Sequence, residues 1–155
     1  MNGTTAQAAS AVAALSEPGE QHLVLYDGVC ALCDGLVQFV LVRDRRQVFR
    51  FASLQSSIGQ AIVKGAGGNP AELNSLYVVQ NYGTARARAL TRSRAALFIL
   101  GELGWPWRLV RAAGVLPTVI LDRAYDGIAR TRYRIFGRYE QCLAPRPEFR
   151  DRFVD

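Results

Sequence analysis

Short unbroken apolar runs alternate along this chain with longer stretches of helical spacing. The first run, His22-Leu23-Val24-Leu25-Tyr26, is rich in strand formers and closes on Asp27-Gly28, which predicts a strand ending in a turn. Leu36, Val37, Phe39, Val40 and Leu41 then recur at helical spacing up to Arg43, where the basic cluster Arg43-Asp44-Arg45-Arg46 suits a helix C-terminus. Val48-Phe49-Arg50-Phe51 reads as a second strand. A strand, a helix and a strand with short connections imply two parallel neighbours in one sheet.

The pattern continues with a short helix over Ile58 to Lys64 and a glycine-rich loop, Gly65 to Pro70. That loop lacks the Lys-Ser/Thr ending of a phosphate-binding loop and does not open from a strand, so it reads as a connector. Leu76-Tyr77-Val78-Val79 and the stretch from Ala85 to Thr91 flank Asn81-Tyr82-Gly83, a hairpin signal. Ser93 is placed to cap a helix from Arg94 to about Leu103, with Gly104 past its end. Trp105-Pro106-Trp107 is expected as a corner packed into the core, the alternative being a partner-binding or membrane-interface patch. Pro117 suits the first turn of a last long helix, whose apolar positions are Val119, Ile120, Ala124, Ile128 and Phe136 and whose end is Gly137.

Chemistry concentrates at the first strand-to-helix corner, where Cys30 and Cys33 stand one helical turn apart. The first turn of a helix leaves N–H groups unpaired at the positive end of the peptide dipole, which makes a sulfur there easier to ionise. A disulfide between the two can then form and break without long-range rearrangement. In this reading Cys30 is the exposed attacking thiolate and Cys33 resolves the mixed disulfide from a more buried position. The competing readings are two structural cysteines or half a zinc site. Zinc needs two further ligands, and the only other Cys and His are Cys142 and His22. His22 starts the strand on the order of 16 Å from the corner and is expected to be a half-exposed surface residue. Cys142 is taken as an unpaired structural cysteine, with a resolving or intermolecular role as the alternatives. Neither a metal nor a cofactor is expected.

Half of the 155 residues are apolar, enough for one domain with a real core. Residues 1–20 hold no Lys or Arg and no long apolar core, so they read as a disordered leader rather than a secretory signal. Residues 21–155 read as the single domain, with a C-terminal helical extension. Charge is uneven: Arg86 onward carries fourteen arginines against seven acids, whereas residues 1–85 are nearly balanced. That half is expected to be a solvated, partly salt-bridged face. A basic footprint for nucleic acid or anionic lipid is the functional alternative, and no nucleic-acid motif accompanies it. Glu102, Arg108 and Arg111 interrupt the most apolar region, so no transmembrane segment is expected. The expected location is the cytoplasm, whose reducing poise argues against a purely structural disulfide.

The order β-α-β-α-β-β-α with C-x-x-C after the first strand resembles the thioredoxin-like fold in its compact, glutaredoxin-like form. Asp27-x-x-Cys30-x-x-Cys33, then Arg43-Asp44-Arg45, Phe49 to Ser56 and Tyr133-Arg134-Ile135-Phe136-Gly137 resemble the DCC family of predicted thiol-disulfide oxidoreductases. The resemblance implies a cytoplasmic bacterial redox protein acting on a protein or small-molecule thiol or disulfide, with Cys30, Cys33 and Asp27 as its site. Ala31-Leu32 between the cysteines departs from the proline- or glycine-containing dipeptides of well-known thioredoxins. A proline just before the third strand is also missing, Pro70 lying too early. Two roles are open to Asp27: proton acceptor for Cys33 during resolution, or turn residue bonding the N–H groups that open the Cys helix. The rival to an enzyme is a binding or redox-sensing module that docks a partner protein or membrane surface through its arginine-rich half.

Overall fold

The computed structural model describes residues 21–69, 71, 76–138, 140 and 146–154. Its centre is β1 (His22–Tyr26), which is buried at every position. On one side it pairs in parallel with β2 (Phe49–Ser53), and on the other antiparallel with β3 (Tyr77–Gln80). β4 (Arg88–Thr91) completes the hairpin with β3, so the sheet order is β2-β1-β3-β4. An unbroken apolar strand is what a central position requires, because its side chains alternate between two covered faces.

Val24 and Tyr26 point into one layer with Phe49, Phe51 and Val78, closed by α1 (Ala31–Arg43) through Val37, Val40 and Leu41 and by α3 (Arg92–Glu102) through Ala95 and Ile99. Leu23 and Leu25 point the other way, with Ala52, Tyr77 and Val79, against Val63 of α2 (Ser57–Gly65). Burying each of these large side chains contributes about 1.5–3 kcal/mol. The parallel β1–α1–β2 unit and the antiparallel β3–β4–α3 unit make the thioredoxin-like core that the sequence led us to expect. The additional C-terminal elements are a 3-10 segment, Trp107–Val115, then α4 (Thr118–Ile135) and a short 3-10 turn, Pro147–Arg152.

Several local readings are corrected. His22 is buried, not half-exposed: it sits in the central strand, its ring lies edge-on to Phe98 at 4.9 Å, and its Nδ1 accepts the Asn81 N–H at 3.1 Å. Ser93 does not cap α3, which begins one residue before it; its hydroxyl donates to Asp122 of α4 and ties the two helices together. Trp105 is 77% exposed. The chain leaves α3 through Gly104 at φ +86° and brings only Trp107 back onto α1, edge-on to Phe39 at 4.9 Å. Asp44 caps the end of α1 and is buried, accepting the Val48 and Phe49 N–H groups and a 2.6 Å ion pair from Arg152. Arg152 also donates to the Phe49 carbonyl, and the Val154 N–H donates to Phe51. The C-terminal residues thereby cover the outer edge of β2, a common protection for an edge strand.

The largest correction concerns α4. Val119, Ile120, Ala124, Ile128 and Phe136, read as its apolar line, are exposed, while Leu121, Tyr125 and Arg132 turn inward. The Tyr125 hydroxyl accepts the Leu76 N–H at 2.7 Å, fastening the helix to the start of β3.

Candidate functional site

β1 delivers Asp27 to the end of the sheet, and the turn after it is closed twice. The Asp27 carbonyl accepts the Cys30 N–H at 3.2 Å, and its Oδ1 accepts the Val29 N–H at 3.1 Å. Cys30 then takes an extended conformation as the N-cap of α1, and its Sγ accepts the Cys33 N–H at 3.5 Å. A sulfur here occupies the place usually taken by a Ser or Asp oxygen, where the first-turn donors and the helix dipole favour negative charge. Both cysteines are free thiols.

Their exposure is the reverse of the expectation. Cys30 is fully buried and Cys33 half-buried. The cause is the chain just beyond α4: the Gly137 carbonyl accepts the Ala31 N–H at 3.4 Å, and Cys30 forms an antiparallel bridge with Arg138. Gly137 makes this return at φ +89°, in the left-handed region that favours glycine.

Asp27 is itself buried and accepts in four directions. Oδ1 takes the Gln55 amide at 2.7 Å as well as Val29; Oδ2 takes Arg132 at 3.1 Å and the Tyr133 hydroxyl. Gln55 also accepts the Gly28 N–H at 3.1 Å and the Ser53 hydroxyl, so one amide clamps the turn to the end of β2. Arg132, almost fully buried, donates its other terminal nitrogen toward the Cys33 sulfur at 3.7 Å. One guanidinium thus joins the carboxylate to the thiol pair. Of the two roles open to Asp27, the turn bond is present, though to Val29, while the helix itself is capped by Cys30.

The electrostatics follow from this packing. Burial, the charge at Cys30 and a hydrogen bond to it push the Cys33 thiol up to about 12, with Arg132 opposing. Cys33 therefore keeps its proton through the neutral range. Tyr133 is also pushed up to about 12, by burial and by its bond to Asp27. Burial lowers Arg132, but the charges at Cys33, Tyr133, Cys30 and Asp27 outweigh it and hold the group above its ordinary value.

Asp27, Cys30 and Cys33, the site residues named from the sequence, lie together at one corner; Arg132, Gln55 and Tyr133, which bond to Asp27 there, were not named. Gln55 and Tyr133 stand in two of the stretches that carried the family resemblance, without a role. Arg132 could be found only by noticing that it shares a helical face with Leu121 and Tyr125, which required knowing which face is inward. Cys142 and Pro70 lie outside the described residues, as does the 1–20 leader. Among the described residues no His, Cys, Asp and Glu side chains gather as a metal site would need.

A thioredoxin-like core with paired thiols at the first helix N-terminus defines a redox-type protein, and comparison with known proteins narrows the class. Residues 24–138 match the DCC1-like thiol-disulfide oxidoreductase family, to which this chain belongs. It is 34% identical over 139 residues to the uncharacterized protein YuxK of Bacillus subtilis (strain 168), covering 90% of this chain and 98% of that protein. It is 33% identical over 127 residues to the chloroplastic DCC family protein At1g52590 of Arabidopsis thaliana, covering 81% of this chain and 71% of the relative. No solved structure matches.

Proposed function

We propose that this protein is an enzyme that exchanges disulfides through Cys30 and Cys33. The observation that carries the reading is the N-cap geometry: Cys30 Sγ receives the Cys33 N–H, with the Arg132 guanidinium beside the pair. In the reductive direction the Cys30 thiolate attacks one sulfur of a substrate disulfide, forming a mixed disulfide and releasing a thiolate that takes a proton. Cys33 then loses its proton and attacks Cys30, releasing the second substrate thiolate and leaving a Cys30–Cys33 disulfide. Two electrons pass to the substrate. Asp27 acts as a positioning residue that holds Arg132 and the turn. Access to Cys30 requires Gly137–Arg138 to swing aside, which breaks the 3.4 Å bond from the Ala31 N–H and the bridge between Cys30 and Arg138. We place the reaction in the cytoplasm, where a reducing poise keeps such a pair turning over.

One observation favours a second reading, a redox-sensing or binding module without turnover: the complete burial of Cys30 under that same segment. Titration of the protein against glutathione or dithiothreitol buffers, read by mass spectrometry, separates the two. The enzyme shows a reversible two-electron transition at roughly −200 to −270 mV, and Cys33→Ser accumulates mixed disulfides through Cys30. Failure of the Cys30–Cys33 disulfide to form under oxidising buffer leaves only the module.

A further inference from the structure

α4 is an amphipathic helix mounted with its apolar side outward. Ile120, Ala124, Ile128 and Ile135 fall within one face at 100° per residue, and Ile120, Ile128 and Ile135 are each more than half exposed. Arg123, Arg130 and Arg134 line one border of that face and are exposed as well. Leading into the helix, the 3-10 segment carries Leu109 at 61% and Val115 at 87% exposure, with Trp105 just before it at 77%. A stretch of chain this rich in exposed large apolar side chains marks a contact surface.

The charges say what kind of contact. Between residues 103 and 137 the exposed ionisable side chains include Arg108, Arg123, Arg130 and Arg134, and Arg111, which pairs with Glu102 at 2.7 Å; Asp122 is engaged by Ser93, and Asp126, its side chain 39% exposed, lies 3.8 Å from Arg92. A second copy of the chain on this face would set arginine against arginine. An acidic protein would satisfy the charge, and a cleft lined by Trp105, Arg108 and Arg111 against the end of α1 would seat a side chain at one end of the patch. Leu109, Val115 and the α4 isoleucines lie outside that cleft and stand exposed, with basic groups beside them. Apolar tips that enter the acyl boundary, an amphipathic aromatic at the headgroup level and cations for anionic headgroups are the three features of a helix lying in a membrane interface. We propose that Trp105 to Ile135 rests on an anionic lipid surface, as a peripheral contact. Arg132, which turns inward to Asp27, lies about 40° and about 60° round α4 from Ile128 and Ile135, so the exposed face adjoins that buried pair. No described helix is long and apolar enough to cross a membrane.

The test is sedimentation of the full chain with vesicles of equal parts phosphatidylcholine and phosphatidylglycerol, against vesicles of phosphatidylcholine alone, at low and high salt. The protein is expected to sediment with the anionic vesicles only, to be released by salt, and to show a blue shift of tryptophan emission on binding. Leu109→Glu/Val115→Glu should abolish sedimentation, and Arg123→Gln/Arg130→Gln should weaken it roughly tenfold. Near-ultraviolet circular dichroism should be unchanged in both, because all four side chains are exposed. No sedimentation of the folded wild-type chain overturns the proposal, as does wild-type sedimentation by both variants. Concentration-dependent dimerisation without vesicle binding, lost in Leu109→Glu/Val115→Glu, overturns it in favour of a second copy. Binding to polyglutamate but not to vesicles overturns it in favour of an acidic protein.

Discussion

Arg132 reaches Asp27 Oδ2 at 3.1 Å with one terminal nitrogen and the Cys33 sulfur at 3.7 Å with the other, so two residues 105 positions apart share one buried charge balance beside the thiols. Neither partner reaches solvent to any useful extent. Truncating one side therefore leaves the other as an uncompensated buried charge. Arg132→Met is expected to destabilise the protein by about 3–5 kcal/mol in urea unfolding. Asp27→Asn/Arg132→Met should lose less than the sum of the two single variants. Strict additivity would show that the pair is not coupled.

The same balance is expected to tune thiol reactivity, with opposite signs for the two partners. Removing the carboxylate in Asp27→Asn leaves the guanidinium to favour a thiolate, so the pH profile of iodoacetamide alkylation should move down by about one unit. Arg132→Met should move it up by a similar amount. An unchanged profile in Asp27→Asn, with unchanged turnover, would show that this carboxylate neither tunes the thiols nor shuttles their protons.

Stability should fall in alkaline solution. Cys33 holds its proton to about 12 in the folded chain, whereas an unfolded thiol loses it near 9; Tyr133 likewise holds to about 12, against 10. The unfolded state thus releases protons first, and folding stability is lost progressively between about pH 9 and pH 12. Urea midpoints across that range measure it. Cys33→Ser should flatten the lower part of the decline, leaving the contribution of Tyr133.

Gly59 links the second helix to the site. A Cβ there would stand 2.2 Å from the Ser53 carbonyl oxygen, and the Ser53–Gln55 turn holds the amide that grips Asp27. Gly59→Ala is expected to cost about 1–3 kcal/mol and to alter alkylation rates as well. Loss of stability with unchanged rates would mean that Gln55 keeps its place.

The C-terminal residues are held by a second buried ion pair. Arg152→Met, which strips Asp44 of its partner, should destabilise by about 3–5 kcal/mol in urea unfolding. A change below about 0.5 kcal/mol would place Asp44 with the surface charges.

Elements whose signals are local were legible from the order of residues alone. A strand buried on both faces is an unbroken apolar run, so β1 was legible to the residue; Asn81-Tyr82-Gly83 marked the β3–β4 hairpin; and three-residue spacing after a strand placed Cys30 and Cys33 together at a strand-to-helix corner. Tertiary structure decided the rest, because burial depends on what another part of the chain covers. Nothing near Cys30 in sequence announces that Gly137–Arg138 will close over it, nor anything near Asp27 that Arg132 and Gln55 will converge there. Helical periodicity identified α4 and its apolar line, but periodicity carries no information on which side meets the protein. Tyr125 and Arg132, with their fixed bonds to Leu76, Asp27 and Cys33, took the inner side and left the isoleucines outside.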